Sequence, residues 1–235
     1  MTDRPFSPLV LAYGELLWDC LPNGEHLGGA PANFAYRLNS LGFDARPVTR
    51  VGKDVRGDEA LRLLTSAGID CSLVQRDEAI PTGTVDVTLS AKGDASYVIN
   101  TGAAYDAIEL STSLADAAQR SAIVYFGALI QRAALSRETL YKLLELAPKS
   151  ALRFCDINLR RDCYSIETVS ASLRKSNILK LNNDEVAPLG ALLGWQGNLT
   201  SEEFCRRALG EYGLEACLVT RASAGAYCRS ISGEI

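Results

Sequence analysis

The sequence predicts an α/β fold, a doubly wound, mostly parallel sheet flanked by helices, with a small β lid. Three observations predict it. Short apolar runs that read as buried strands alternate with helix-period segments along most of the chain. A glycine turn, Gly28-Gly29-Ala30-Pro31-Ala32-Asn33, opens an early helical pattern. One hairpin, at about residues 84–100, alternates at period two with a polar and an apolar face, which suits an edge or lid sheet and not the middle of a parallel one.

Leu9 to Tyr13 reads as a buried first strand ended by Gly14. After the glycine turn, Pro31 suits a first helical turn, where its missing N–H is not needed. Phe34, Leu38 and Leu41 then recur at helical spacing and Gly42 supplies a stop. Gly28 and Gly29 can take positive φ and open main-chain amides to a ligand, and Asn33 sits beside them. Asp44 to Val48 reads as a strand, Gly57 to Ala67 as a helix stopped by Gly68, and Ser72 to Gln75 as a short strand. Thr84 to Ser90 and Ala95 to Asn100 form the hairpin around the turn residues Ala91 to Asp94. Beyond residue 113, strands are predicted at Ile123 to Phe126, Leu152 to Ile157, Ile178 to Leu181 and Ala216 to Thr220. Helices are predicted at Ser136 to Leu146, Ile166 to Arg174, Asp184 to Leu193 (broken early by Pro188) and Thr200 to Tyr212. The last opens with Thr200 as N-cap and Glu203 three residues on, the capping-box pattern.

With 235 residues and 47% apolar content, the chain can build a substantial core. A net charge of -4 with mixed signs argues against a nucleic-acid binder, which would cluster Lys and Arg. Seven cysteines form no Cys-x-x-Cys pair and read as reduced, buried thiols of a cytoplasmic protein. Met1 to Pro8 lacks the apolar stretch of a signal peptide, and Ile123 to Ile130 is too short to span a bilayer, so no membrane partner is expected. The single histidine, His26, and the absence of a Gly-x-Ser-x-Gly elbow disfavour a serine hydrolase. The absence of Gly-x-Gly-x-x-Gly disfavours a nicotinamide dehydrogenase.

In doubly wound folds, ligands gather outside the carboxyl ends of the strands. Polar residues fall there: Asp19 after the first strand, Asp156, Asn158 and Arg160 after the strand at 152, Asn182 and Glu185 after that at 178, and Thr220 and Gly225 after that at 216. Asn182 and Glu185 either serve a ligand or cap the helix that follows. Trp18 either stacks on the flat face of a ligand or packs in the core.

The glycine turn with Leu41-Gly42 resembles the first signature of the PfkB (ribokinase-like) carbohydrate kinases, above all their fructokinase-like branch. Val51-Gly52-Lys53-Asp54-Val55-Arg56-Gly57-Asp58, Asp156-x-Asn158-x-Arg160, Asn182-x-x-Glu185 and Val219-Thr220 with Gly225 are similar to later motifs of that family, in the same order. The resemblance implies a ribokinase-like fold and phosphorylation of a sugar primary hydroxyl, most simply that of fructose, with ATP and Mg2+ as cofactors. It implies that Asp19, Gly29 and Asn33 hold sugar hydroxyls. Arg160 either meets an acidic or phosphorylated substrate, 2-keto-3-deoxygluconate being an acidic one, or braces the sheet. Asn182, Glu185, Thr220 and Gly225 would meet the nucleotide and its phosphates, with Glu185 reaching the metal through water. Ala222 departs from the glycine common in the family. The lid implies a homodimer contact.

The resemblance also implies a second signature, Asp-Thr-x-Gly-Ala-Gly-Asp, soon after a strand near Ala226; residues 1–235 do not contain it. No catalytic residue is therefore expected within this chain. The expected organisation is one ribokinase-like domain over 1–235, incomplete at its C-terminus, with a lid insertion at about 84–100. A catalytically incompetent sugar-binding paralogue is the alternative.

Overall fold

The computed structural model describes residues 7–89, 95–160 and 163–234. Two sheets build it. Of the main sheet, β1 (Leu9–Tyr13) comes first; β2 (Leu17–Leu21) and β3 (Gly24–Gly28) then leave it as an antiparallel hairpin. Helix α1 (Ala30–Ser40), β4 (Asp44–Gly52), α2 (Val55–Ser66) and β5 (Val74–Asp77) return to the main sheet. Strands β6 (Gly83–Leu89) and β7 (Ala95–Ile99) join the hairpin, giving an accessory sheet in the order β3-β2-β6-β7. Helix α3 (Thr112–Gln119), β8 (Ile123–Gly127), α4 (Ala134–Leu146), β9 (Leu152–Asp156), α5 (Ile166–Lys175), β10 (Ile178–Asn182), α6 (Asn183–Leu192), α7 (Ser201–Tyr212), β11 (Ala216–Thr220), β12 (Ala226–Ser230) and β13 (Gly233–Glu234) complete the chain. The main sheet runs β13-β12-β11-β10-β9-β8-β1-β4-β5, parallel from β5 to β11 and antiparallel at β12 and β13.

Strand alternation sorts the core into two faces. On one, Val10, Ala12, Ala45 and Tyr125 meet Ala35, Phe34 and Leu38 of α1, and Val51 meets Ala60 and Leu64 of α2. On the other, Leu11, Tyr13, Phe126, Cys155, Leu181 and Val219 pack against α3 to α7 in the largest cluster. Each large side chain buried this way contributes roughly 1.5–3 kcal/mol. Over β9 to β12 the first face stays half-open: Phe154, Ile178, Lys180, Leu218 and Cys228 are all intermediate in exposure.

Several sequence expectations need correction. Pro188 does not break α6, which runs through it. The proline is exposed, so the carbonyl it leaves unbonded can face water, while Val186 and Leu189 anchor the helix in the core. At α7 only half the capping box forms: Thr200 accepts from the Glu203 amide at 3.2 Å, but the Glu203 carboxylate turns to Arg206 and Arg207. The accessory sheet is twice the foreseen hairpin, because β2 and β3 belong to it. Helix α3 was also not foreseen. The predicted turn Ala91 to Asp94 with Ser90, most of the Met1 to Pro8 stretch, and Ile235 lie outside the described residues. All seven cysteines are free thiols, four buried and three intermediate. Among the described residues no helix is long and apolar enough to cross a membrane.

Candidate functional site

The glycine turn is shaped by the protein's own backbone. Gly29 has φ 115° and caps α1, and a Cβ there would collide with the Glu15 carbonyl oxygen. A Cβ on Gly14 (φ 151°) would lie 2.6 Å from the Pro31 ring, and one on Gly28 would lie 2.7 Å from Asp19 Oδ2. These glycines let the end of β1, the start of α1 and β2 touch, a structural reason for each that is independent of any ligand.

Glu15, which the sequence reading passed over, sits where β1 ends, 5% exposed, and accepts the Ala30 amide at 3.1 Å. Burial pushes its carboxyl up to about 7, against the pull of the Ala30 amide and the Arg160 charge, while Asp156 adds to the rise. With Pro31, Tyr125, Gly127, Asp156 and Asn158 it lines a narrow cleft at the carboxyl end of the sheet, closed too tightly here to admit a water molecule. Asp19 pairs across the hairpin with His26. Partial burial raises its carboxyl, and the Arg160 and His26 charges oppose that rise. Arg160 is exposed, and its charge reaches both Asp19 and Glu15. Asn33 lies in the first turn of α1 with its side chain exposed, but it lines a separate recess of about 180 Å3 with Gly28, Leu27, Tyr36, Leu63 and Leu64. Trp18 is a core residue: it is 7% exposed and donates its indole N–H to the Arg56 carbonyl at 3.1 Å.

The second half of the site lies at the ends of β9, β10 and β11. Asp156 accepts the Tyr125 hydroxyl at 2.9 Å and both its oxygens meet the Lys180 ammonium, at 2.9 and 3.0 Å. Asn158 follows with φ 40°, a left-handed conformation that asparagine tolerates. Asn182 and Glu185 form a capping box at α6: the Glu185 amide donates to Asn182 Oδ1 at 3.0 Å, and Glu185 Oε2 accepts the Asn182 amide at 2.8 Å. Glu185 Oε1 takes the Leu159 amide at 2.6 Å. Burial lifts the Glu185 carboxyl above its usual range, opposed by those two amides and by Lys180, with Asp156 adding to the rise. Thr220 lies in register with Asn182. After it the chain turns tightly, the Arg221 amide donating to the Gly225 carbonyl at 2.7 Å, with Ala222 at φ 47° and Gly225 at φ 82°.

The Gly52 to Asp58 motif has a structural task. Asp54 caps α2 through the Gly57 amide at 2.7 Å and also accepts the amide and hydroxyl of Thr82, at 2.8 and 2.7 Å, just before β6. Partial burial works against its charge, but these donors outweigh it and hold the carboxyl below the usual range. One carboxylate thus clips the accessory sheet to the main one.

The expected residues therefore fall into two groups. Asp19, Gly28, Gly29 and Arg160 gather beside the Glu15 cleft, Asn182, Glu185, Thr220 and Gly225 gather at the β10 and β11 ends, and Asn33 stands apart in its own recess. Sequence reasoning missed Glu15, Tyr125 and Lys180. Lys180 carried a signal: in the run Ile178-Leu179-Lys180-Leu181-Asn182, period two puts it on the face of Asn182. Among the described residues no three His, Cys, Asp or Glu side chains form a metal cage. Both Glu185 oxygens already accept amides, so the donor set fits a hard cation only as one that keeps its waters and arrives on phosphate oxygens.

Comparison with known proteins locates the chain. The family of pfkB carbohydrate kinases matches residues 8–235. An uncharacterized sugar kinase of Pyrococcus horikoshii is 29% identical over 195 residues, 76% of this chain and 63% of its own length. A fructokinase of Solanum tuberosum is 26% identical over 211 residues, 82% of this chain and 66% of its own. The chain thus spans less than two thirds of these curated relatives. In three dimensions, a fructokinase from Xylella fastidiosa with bound ATP superposes with a TM-score of 0.82 at 21% identity, over 98% of this chain and 73% of that one.

Proposed function

We propose, because this chain belongs to the pfkB family of carbohydrate kinases, that the protein transfers the terminal phosphoryl group of ATP to a sugar hydroxyl. The observation that carries this reading is the division of the strand ends into two groups. Beside the cleft stand the carboxyl groups of Asp19 and Glu15, oxygens suited to sugar hydroxyls; at β10 and β11 stand the N-terminus of α6, a place that suits phosphates, and the Thr220 hydroxyl, which rests on the Leu181 carbonyl at 3.5 Å. Asp19 and Asn33 would bind and orient the sugar, with the accessory sheet over it as a lid that excludes water. Asn182, Thr220 and Gly225 would border the nucleotide. Magnesium, carried on the phosphates, would supply charge neutralisation for the transfer and meet Glu185 through water. Residues 1–235 contain no Gly-Ala-Gly-Asp, and we assign the proton acceptor to none of them.

We take fructose as the sugar, in line with the fructokinases among its relatives. The exposed Arg160 beside Asp19 favours a second reading, a sugar acid such as 2-keto-3-deoxygluconate. Tyr97 and Val98, 62% and 57% exposed on the edge strand β7, support a homodimer through the lid. Calorimetry with each sugar tests the reading. Fructose should bind the chain and Asp19→Ala should abolish its heat; unchanged fructose binding by Asp19→Ala would sink it. Loss of only the sugar-acid signal in Arg160→Ala would select the second reading.

A further inference from the structure

We propose that Lys180 contacts the phosphates of the bound nucleotide, held in place for that task by Asp156; the proposal rests on the kinase reading above. A nucleotide triphosphate brings about four negative charges to a strand end already carrying Asp156 and Glu185, and the groups assigned to it so far, Asn182, Glu185, Thr220 and Gly225, bring no positive charge. Lys180 supplies one at that place. It stands two residues before Asn182 on β10, on the same face, in register with Asp156 on one side and Leu218 on the other.

The geometry goes beyond a counter-ion. An ammonium has three donors. Two are engaged by Asp156, at 2.9 and 3.0 Å, and Asp156 is itself fixed by the Tyr125 hydroxyl at 2.9 Å. Among the described residues the third donor meets no acceptor, and the side chain keeps 27% of its surface exposed. It opens onto the uncovered face of β10 and β11, where Leu218 and Thr220 are half-exposed beside it. A long flexible side chain tethered at its tip, with one donor left over, is pre-organised for an anion.

The test is calorimetry of the full chain with MgATP and, separately, with adenosine. Wild type should bind MgATP; Lys180→Met should weaken it about tenfold or more, the loss of one charge-assisted hydrogen bond, and leave adenosine affinity unchanged. Lys180→Arg should restore most of the MgATP affinity, a rescue that a purely structural role would not give to one ligand only. Should Lys180→Met lose its native circular dichroism, Lys180→Gln, whose carboxamide still donates to Asp156, carries the same comparison. Equal MgATP affinity in wild type and the variant, or no MgATP binding by wild type, overturns the proposal. Sugar calorimetry on the same chain separates it from the kinase reading. MgATP bound through Lys180 by a chain that binds neither fructose nor the sugar acid sinks only that reading. A sugar kinase whose Lys180→Met variant keeps its KM for ATP sinks only this proposal.

Discussion

Glu15 shows how a single buried carboxyl can set a pH dependence. Its folded value of about 7 lies above its ordinary 4.5, so the native state holds the proton more tightly than the unfolded chain does. The stability tied to that proton is fully present below about pH 4.5 and is lost as pH rises through 7. Glu15→Gln keeps an acceptor for the Ala30 amide and removes the titration. Its stability relative to wild type should therefore climb between pH 4.5 and 7, towards an upper bound of about 3 kcal/mol. Urea unfolding of both proteins at pH 5 and pH 8 measures this, and a constant difference would refute it. Gly29 is a second single-residue dependence. Gly29→Ala forces a Cβ against the Glu15 carbonyl and should destabilise by roughly 2 kcal/mol or more, read from the same unfolding curves. That glycine turn was plain in the sequence, but its reason was not. Which atom fills the space over Gly29 depends on β1 and α1 meeting, a contact that spacing along the chain does not encode.

Among the elements, the turn after β11 and the start of α2 carry opposite lessons. Ala222 adopts φ 47°, a region that costs a residue with a Cβ about 1 kcal/mol, and it is exposed, so nothing else depends on its methyl. Ala222→Gly should raise stability by about 0.5–1 kcal/mol, visible as a small increase in Tm. The sequence marked this position as a departure from family glycine, and the backbone supplies the physical reason. Asp54 is different: Asp54→Ala strips α2 of its cap and leaves Thr82 without its partner, costing about 1–3 kcal/mol. Hydrogen exchange should then rise first in β6 and at the α2 start. The strands of the main sheet were legible because each is a short apolar run between turn residues. Strands β2 and β3 were not, since Gly24-Glu25-His26 is exposed and polar, and the place of β2 in the sheet is set by β6, some sixty residues away. Pro188 misled for a related reason: its penalty depends on which face of α6 it occupies.

At the scale of the molecule, the parallel order and the crowding of polar groups at one end of the sheet followed from the strand–helix alternation alone. The partition of those groups did not, because it depends on register between strands far apart in sequence. The exposed Tyr97 and Val98, on opposite faces of the edge strand β7, give a test of assembly. Sedimentation at micromolar concentration should find a dimer, and Val98→Lys should shift it to monomer. A dimer unmoved by that charge would place the contact elsewhere. Glu185, finally, joins two things that ligands would touch from opposite sides. One oxygen holds the Leu159 amide, next to Arg160; the other holds the Asn182 amide at the mouth of α6. Ordering either segment steadies the shared carboxylate and lowers the cost of ordering the other. Sugar and nucleotide should therefore bind cooperatively, each raising the other's affinity by the same factor whichever is added first, and Glu185→Ala should make the two events independent.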